Sequence, residues 1–399
     1  MAGHLESSML STHLLRGLSW DHSRAFPPAV AAAQRYEETH PGVRILWEKH
    51  SLNDFGHAPV DVLADKYDLL IIDHPSLGYT HAQGCLLPLD DKVNPEALKD
   101  LEAHSVGGSF QSYRWADRLW ALPIDAACPA SSWRPSRLEE HGPAPRSWKD
   151  LLRWADAGRV LAPGFGPDLL LHLLALCATE DASCGVAPDA FAPEHIALES
   201  LESLRELFSL LPAEVFGMNP IAVYERLSSR SDGIPLYCPF AYTYSNYARV
   251  GYCRYPLVFG EPPASPSGKC LRTVLGGTGL AISARCKSQD IAVDFAAFMA
   301  SEAVQRTFYM QAGGQPAHLR AWEDGSGNAL TGEFFRNTLP AVQRAWTRPR
   351  FNGFVGFQEQ AGGLIQEWIQ RGGPARTCLH AMNKAWQEAW RRGAAQGAG

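Results

Sequence analysis

The sequence predicts an α/β protein of two domains. Three observations carry this expectation. The chain has 399 residues, enough to bury a large core and to divide in two. Its first part alternates strand, helix, strand, short helix and strand, the pattern of right-handed parallel connections. Far downstream, Gly276-Gly277-Thr278-Gly279 leads into the short apolar strand Leu280-Ala281-Ile282-Ser283 and then a helix. Glycines in front of a strand let the backbone approach another element or a ligand closely.

The elements follow in order. Leu14 to Trp20 reads as a first strand closed by the polar turn Asp21-His22-Ser23, and a helix follows from about Pro28 to Glu38 until His40-Pro41-Gly42 stops it. Val43 to Trp47 is a second strand and Tyr67 to Ile72 a third, ended by Asp73-His74-Pro75. Ser147 is a suitable N-cap for a helix whose buried face holds Trp148, Leu151 and Leu152. An apolar helix begins at Asp168, residues 179–194 read as a surface loop, and Leu198, Leu201, Leu204, Phe208 and Leu211 recur at helical period. Ile234 to Cys238 is a strand, followed by the aromatic run Phe240, Tyr242, Tyr244, Tyr247 and Tyr252.

After the glycine-rich turn, Ile291, Phe295, Phe298 and Met299 form one helical stripe, with Ser288 or Asp290 placed to cap it. A second turn at Ser301-Glu302 restarts a helix that ends in Gly313-Gly314-Gln315-Pro316. Two closing helices carry Leu364, Ile365, Trp368 and Ile369, then Leu379, Met382, Trp386 and Trp390; 393–399 reads as a frayed tail.

Composition excludes several classes. Hydrophobic residues at 46% and charged residues at 20% describe an ordinary globular chain. A net charge of -6 without a basic run makes nucleic acid an unexpected partner. Met1 to Trp20 lacks a basic segment followed by an apolar one, and no cysteine precedes Cys85, so as written the chain is expected in the cytoplasm. If an export signal precedes the given start, the expectation becomes periplasmic. The nine cysteines, odd in number and without Cys-x-x-Cys spacing, read as free thiols.

Zincin, P-loop and α/β-hydrolase motifs do not occur, and the glycines at 276–279 precede a strand instead of following one, unlike a dinucleotide fingerprint. The 14 histidines read as scattered, none paired at helical ligand spacing with a carboxylate. No metal and no cofactor are expected. His172, inside an apolar helix, reads as a satisfied core residue.

Ordered segments along residues 12–392 resemble the family 1 extracellular solute-binding proteins, the ligand-capturing components of ABC importers. They include the strand-helix-strand opening, Gly84-Cys85-Leu86-Leu87-Pro88-Leu89-Asp90, Trp120-Ala121-Leu122-Pro123-Ile124-Asp125 and Pro145-Arg146-Ser147-Trp148. Gly276 to Ser283, Ser301-Glu302-x-x-Gln305, Gly313 to Ala317 and Arg348-Pro349 complete the set. Pro129 to Arg134 departs from the family's pattern. The resemblance implies a two-lobed venus-flytrap, each lobe a largely parallel sheet flanked by helices. Lobe one would take 12–123 plus 276–318 and lobe two 124–275 plus 319–392. Hinges would lie near Pro123–Ala126, Arg272–Leu275 and Ala317–Trp322.

It also implies a non-enzymatic monomer that binds a small, carbohydrate-like solute and, if exported, docks on an ABC permease. In open α/β sheets ligands meet the carboxyl ends of strands. This gives Trp20, Asp21, His22, His74, Asp125, Tyr242, Tyr244, Gly277 and Thr278 as candidate ligand contacts. Asp21 and Asp125 would accept hydroxyls, and Trp20 and Tyr242 would stack on a ring. Tyr242 and Tyr244 read equally as one face of a strand packed on core. The alternative from another class is a thiaminase-like transferase with Cys128 as nucleophile. Against it, a buried thiol is usually inert, and Asp125 nearby would oppose the thiolate.

Overall fold

The computed structural model describes residues 13–52, 55, 58–138, 140–229 and 235–396. The expectations for the first twelve residues, for Ile234 and for 397–399 lie outside them.

The principal elements, in chain order, are β1 (His13–Trp20), α1 (Phe26–Thr39), β2 (Val43–His50), β3 (Leu69–Ile72), α2 (Pro95–Ala103), β4 (Leu122–Ala127) and β5 (Pro129–Trp133). They continue with α3 (Trp148–Asp156), α4 (Gly166–Glu180), α5 (Glu194–Ser209), β6 (Tyr237–Tyr242), β7 (Val258–Gly260), β8 (Gly276–Ile282) and α6 (Gln289–Ala300). The last are α7 (Leu319–Glu323), α8 (Phe334–Gln343), α9 (Phe354–Arg371) and α10 (Ala375–Gln396).

Two separate main sheets result. The first has five strands in the order β2-β1-β3-β8-β4. β1 runs parallel to β2 and β3, as the alternation of strand and helix requires, whereas β8 runs antiparallel to both β3 and β4. The direction of β8 has a simple cause. The chain returns from the second sheet and enters the first at the carboxyl ends of β1 and β3, so it must run against them.

The second sheet has the order β6-β5-β7, and both pairings are antiparallel. This corrects the expectation of a largely parallel second sheet. β5 continues outward from β4, and β6 and β7 both run back toward the first sheet. A parallel contact to this sheet persists in the Val160–Tyr237 bridge.

Helices cover both sheets. α1 begins with Pro27-Pro28 in its first turn, where a missing N–H costs nothing, and buries Ala29, Ala32, Ala33 and Tyr36. α4 is buried from Asp168 to Ala178, which explains its unbroken apolar sequence. His172 within it hydrogen-bonds the Pro163 carbonyl at 3.0 Å, a satisfied core residue as expected. Ser147 caps α3, accepting from the Asp150 N–H. Ser288 stands at the N-cap of α6 but makes no side-chain cap hydrogen bond; its hydroxyl meets His13 Nδ1 instead. The expected tail is helical through Gln396, because Ala394, Ala395 and Gln396 are good helix formers that extend α10.

Candidate functional site

Two segments pass between the sheets, and a third lies against the first of them. The first sheet ends at Ala127 and the second begins at Pro129, so the β4–β5 passage falls at Cys128, just beyond the expected hinge. The return passage is Leu275 to Gly276: Leu275 N–H donates to the Trp346 carbonyl, and Gly276 opens β8. The third runs through Gln315 to His318, where Asp125 bridges Pro316 and Ser105 bridges His318. Gln315 is fully buried and stitches these segments together. Its amide donates to the Ala126 carbonyl at 2.8 Å and Thr243 Oγ1 at 3.1 Å, while its Oε1 accepts from Ser245 N–H at 3.0 Å.

A cleft opens where the carboxyl ends of β1, β3, β4 and β6 converge on the start of β8. One cavity of about 400 Å³ is walled by Trp20, Phe55, Asp168, Tyr242, Tyr244 and Gly276–Thr278. A second of about 480 Å³ adjoins it, with Leu18, Leu70, Ile72 and Phe351 on its walls. Asp73, Tyr242 and Arg348 belong to both.

Two ion pairs stand at the cleft, each with a buried guanidinium. Arg24 holds Asp125 in a bidentate pair, Nε to Oδ2 at 2.8 Å and Nη2 to Oδ1, and donates Nη1 to the Thr243 carbonyl at 2.6 Å. Burial pulls the Arg24 guanidinium down, yet the Asp125 carboxylate beside it holds it protonated, above its ordinary value. Arg348 donates to both Asp73 oxygens at 2.8 and 2.6 Å. Burial would raise Asp73, but Arg348 and His74 hold it down at about 2. Asp73 also accepts from the His74 N–H, so it caps the turn after β3 as well as holding Arg348.

The sequence-named residues divide accordingly. Trp20, Tyr242, Tyr244, Gly277 and Thr278 line the cavity. Trp20 is buried with its Nε1 unpartnered, and His22 stacks on it at 5.4 Å. Tyr244 meets Trp20 edge-on at 6.0 Å and lies under the Arg24 guanidinium at 4.9 Å. Gly277 has φ +107°, and a Cβ there would come 2.1 Å from the Asp125 carbonyl, so β8 and β4 approach as only glycine permits.

The other four do not line it. Asp21 faces solvent and pairs with Lys49 at 2.8 Å. His22 accepts from the Arg24 N–H, and burial with Arg24 nearby lowers its imidazole to about 4. His74 is buried behind Asp73 and lowered to about 4 by burial and Arg348. Asp125 has its carboxylate turned to Arg24. These positions were inferred from strand ends, which fix where a backbone arrives but not which side chain turns inward.

A scan against protein-family models finds no matching family. Among solved structures, the maltose-bound T. maritima MalE3 matches with a TM-score of 0.79 at 15% identity, covering 94% of this chain and 100% of that one. An ABC transporter solute-binding protein from Agrobacterium radiobacter K84, in complex with ribitol, matches at 0.78 and 17% identity, covering 96% and 99%. UgpB from Mycobacterium tuberculosis, in complex with glycerophosphocholine, matches at 0.75 and 16%, covering 96% and 99%. The chain shares the two-lobed fold of these structures.

Within this fold, Cys128 lies at the first passage between sheets. It is buried, does not line the cavity, and burial pushes its thiol up to about 12. That environment suppresses the thiolate a nucleophile needs.

One pairing was missed in the sequence. Asp100 and His104 stand one turn apart on α2 with Nδ1 to Oδ1 at 2.8 Å, and His318 Nε2 reaches Asp100 Oδ2 at 3.2 Å. This corrects the reading that no histidine pairs with a carboxylate at helical spacing. His318 Nδ1 accepts from the Arg320 N–H and caps α7, so in neutral His318 the proton sits on Nε2 and points at Asp100. The triad therefore acts as a hydrogen-bonded bracket between α2 and the third segment. A metal would need the Nε2 lone pair that this proton occupies.

Proposed function

We propose that this chain captures a small, polar, carbohydrate-like solute between its lobes and presents it to the permease of an ABC-type importer. The observation that supports it most is the convergence of aromatic walls, buried ion pairs and the glycine-rich start of β8 on one cleft at the passages between sheets. The fold neighbours hold maltose and ribitol, ligands of this class.

In this reading lobe one comprises 12–123 plus 276–318 and lobe two 124–275 plus 319–392, with the first hinge drawn toward Cys128. Trp20, Tyr242 and Tyr244 supply flat faces and edges, and Gly277 and Thr278 supply backbone and hydroxyl contacts. Asp125 and His22 act indirectly, by fixing Arg24. Closure follows because a solute touching both lobes favours the closed state. The protein works as a monomeric binder without chemistry of its own, since the cleft lacks an activated nucleophile at Cys128.

Among the described residues, no helix is long and apolar enough to cross a membrane. Delivery to an importer places the protein outside the inner membrane; as a purely cytoplasmic protein it would serve as an internal carrier or sensor. A thermal-shift screen against neutral sugars and polyols tests the reading, with X-ray scattering to follow closure. A binder gains stability with ligand excess over its dissociation constant. Stabilisation by no sugar or polyol, with turnover abolished in Cys128→Ser, would favour the transferase reading instead.

A further inference from the structure

Among the buried charged groups of the cleft, charge matching leaves one carboxyl over; Glu359, the other acid on the cavity wall, is exposed. Arg24 is matched by Asp125 and Arg348 by Asp73. Asp168 lines the same cavity, is only 8% exposed, and forms no hydrogen bond or ion pair among the described residues. It stands in the first turn of α4, a 15-residue helix whose N-terminus favours negative charge. A buried carboxylate without a partner is costly, and proteins retain one where something else completes it.

The surroundings indicate what completes it. Phe165 immediately precedes α4, and Tyr242, Tyr244 and Trp20 form the facing wall. Asp168, Phe165, Tyr242 and Tyr244 all line the same cavity, so the carboxyl and these rings share one space. Aromatic faces around a carboxylate are the surroundings in which an organic cation is bound, through ring quadrupoles and a counter-ion. A neutral polyol needs hydroxyl partners but no uncompensated charge.

We infer that the cleft takes a polyhydroxylated solute bearing an ammonium group, with Asp168 as its counter-ion and the aromatic wall around the cation. This rests on the solute-binding reading and narrows its substrate class. Burial alone raises the Asp168 carboxyl to about 7, and a bound cation is what would hold it ionised.

The test is calorimetry at neutral pH on matched pairs differing in one group: glucose against glucosamine, and sorbitol against glucamine. The amine of at least one pair should bind about tenfold or more tightly than its neutral partner. Asp168→Asn, close in shape, should erase that gap between amine and neutral partner while keeping a wild-type melting temperature or higher. Neutral members binding as tightly as the amines would overturn this inference and leave solute capture standing. A gap that survives in Asp168→Asn would overturn it equally. Binding of neither member in either pair would count against this inference and against the broader reading together.

Discussion

Arg24 and Asp125 form a bidentate ion pair at the base of the cleft, with side chains 5% and 2% exposed. A third guanidinium donor reaches the Thr243 carbonyl, so one arginine after β1 ties the end of β4 to the segment following β6. The pair organises the site without touching the cavity through Asp125. It keeps the passage at Ala126–Cys128 in register with the aromatic wall.

Removing one partner strands a buried charge, which typically costs about 3–5 kcal/mol. Arg24→Met and Asp125→Leu should each lower stability by about that much in urea unfolding. The double variant Arg24→Met/Asp125→Leu should recover a large part, because no charge is then left unpaired. Single variants within about 0.5 kcal/mol of wild type would show the pair to be dispensable.

His74 makes stability depend on acid in a defined direction. Its folded value is lowered from 6.5 to about 4, with Asp73, Arg348, Arg350 and the Tyr113 ring as its neighbours. The unfolded chain therefore binds the proton first. The stability held by neutral His74 is complete above pH 6.5 and is lost as pH falls toward about 4. Asp73 adds a separate loss lower down, between 3.8 and about 2. His22 and His172, also lowered to about 4, add to the same window, so in the pH–stability curve His74→Gln should reduce its slope by the share of one histidine. An unchanged slope between pH 4 and 6.5 would remove His74 as one of its sources.

Gly276 and Gly277 are adjacent but should fail differently. At Gly277 a side chain meets both a positive φ and the Asp125 backbone, so Gly277→Ala should cost more than the roughly 1–2 kcal/mol of a left-handed residue alone. At Gly276 a Cβ meets the Tyr242 ring at 2.4 Å, a side chain that can swing. Gly276→Ala should retain more stability and lose affinity by displacing that wall. Melting curves and calorimetry on both variants separate the two, and equal stability losses would contradict the distinction.

Much of the frame was legible in sequence because it depends on local pattern. The β1-α1-β2 opening, the β8 strand with its glycines and the α6 stripe were readable from apolar spacing and turn residues. The direction of a returning strand is not local, which is why the antiparallel second sheet was missed. The site was half legible for a similar reason. Trp20, Tyr242, Tyr244, Gly277 and Thr278 follow from strand ends meeting a glycine-rich turn. Arg24 and Arg348 were missed because their partners, Asp125 and Asp73, lie 101 and 275 residues away in the chain. Asp168 had a readable signal, a lone acid opening an otherwise apolar helix, and it was read only as a helix start.

The aromatic wall supports a last prediction, and burial decides which variants can test it. Trp20 is 3% exposed and packs against His22, Phe55 and Tyr244, so Trp20→Ala would destabilise the lobe and confuse the result. Trp20→Phe keeps an aromatic ring in that packing and trims the indole, with its unpartnered Nε1 donor, to a smaller phenyl. Tyr242 is half-buried, shared by both cavities, and its hydroxyl makes only a long 3.5 Å contact with the Leu275 carbonyl. Tyr242→Ala therefore removes a cleft wall at modest cost to the core. An aromatic contact is worth roughly 0.5–1.5 kcal/mol beyond its buried area, and about 1.4 kcal/mol is a factor of ten in affinity. Tyr242→Ala should weaken binding about tenfold or more and Trp20→Phe by a smaller factor, each with a cooperative melt retained. Wild-type affinity in both variants, for a solute that binds the parent, would move the binding site away from this wall.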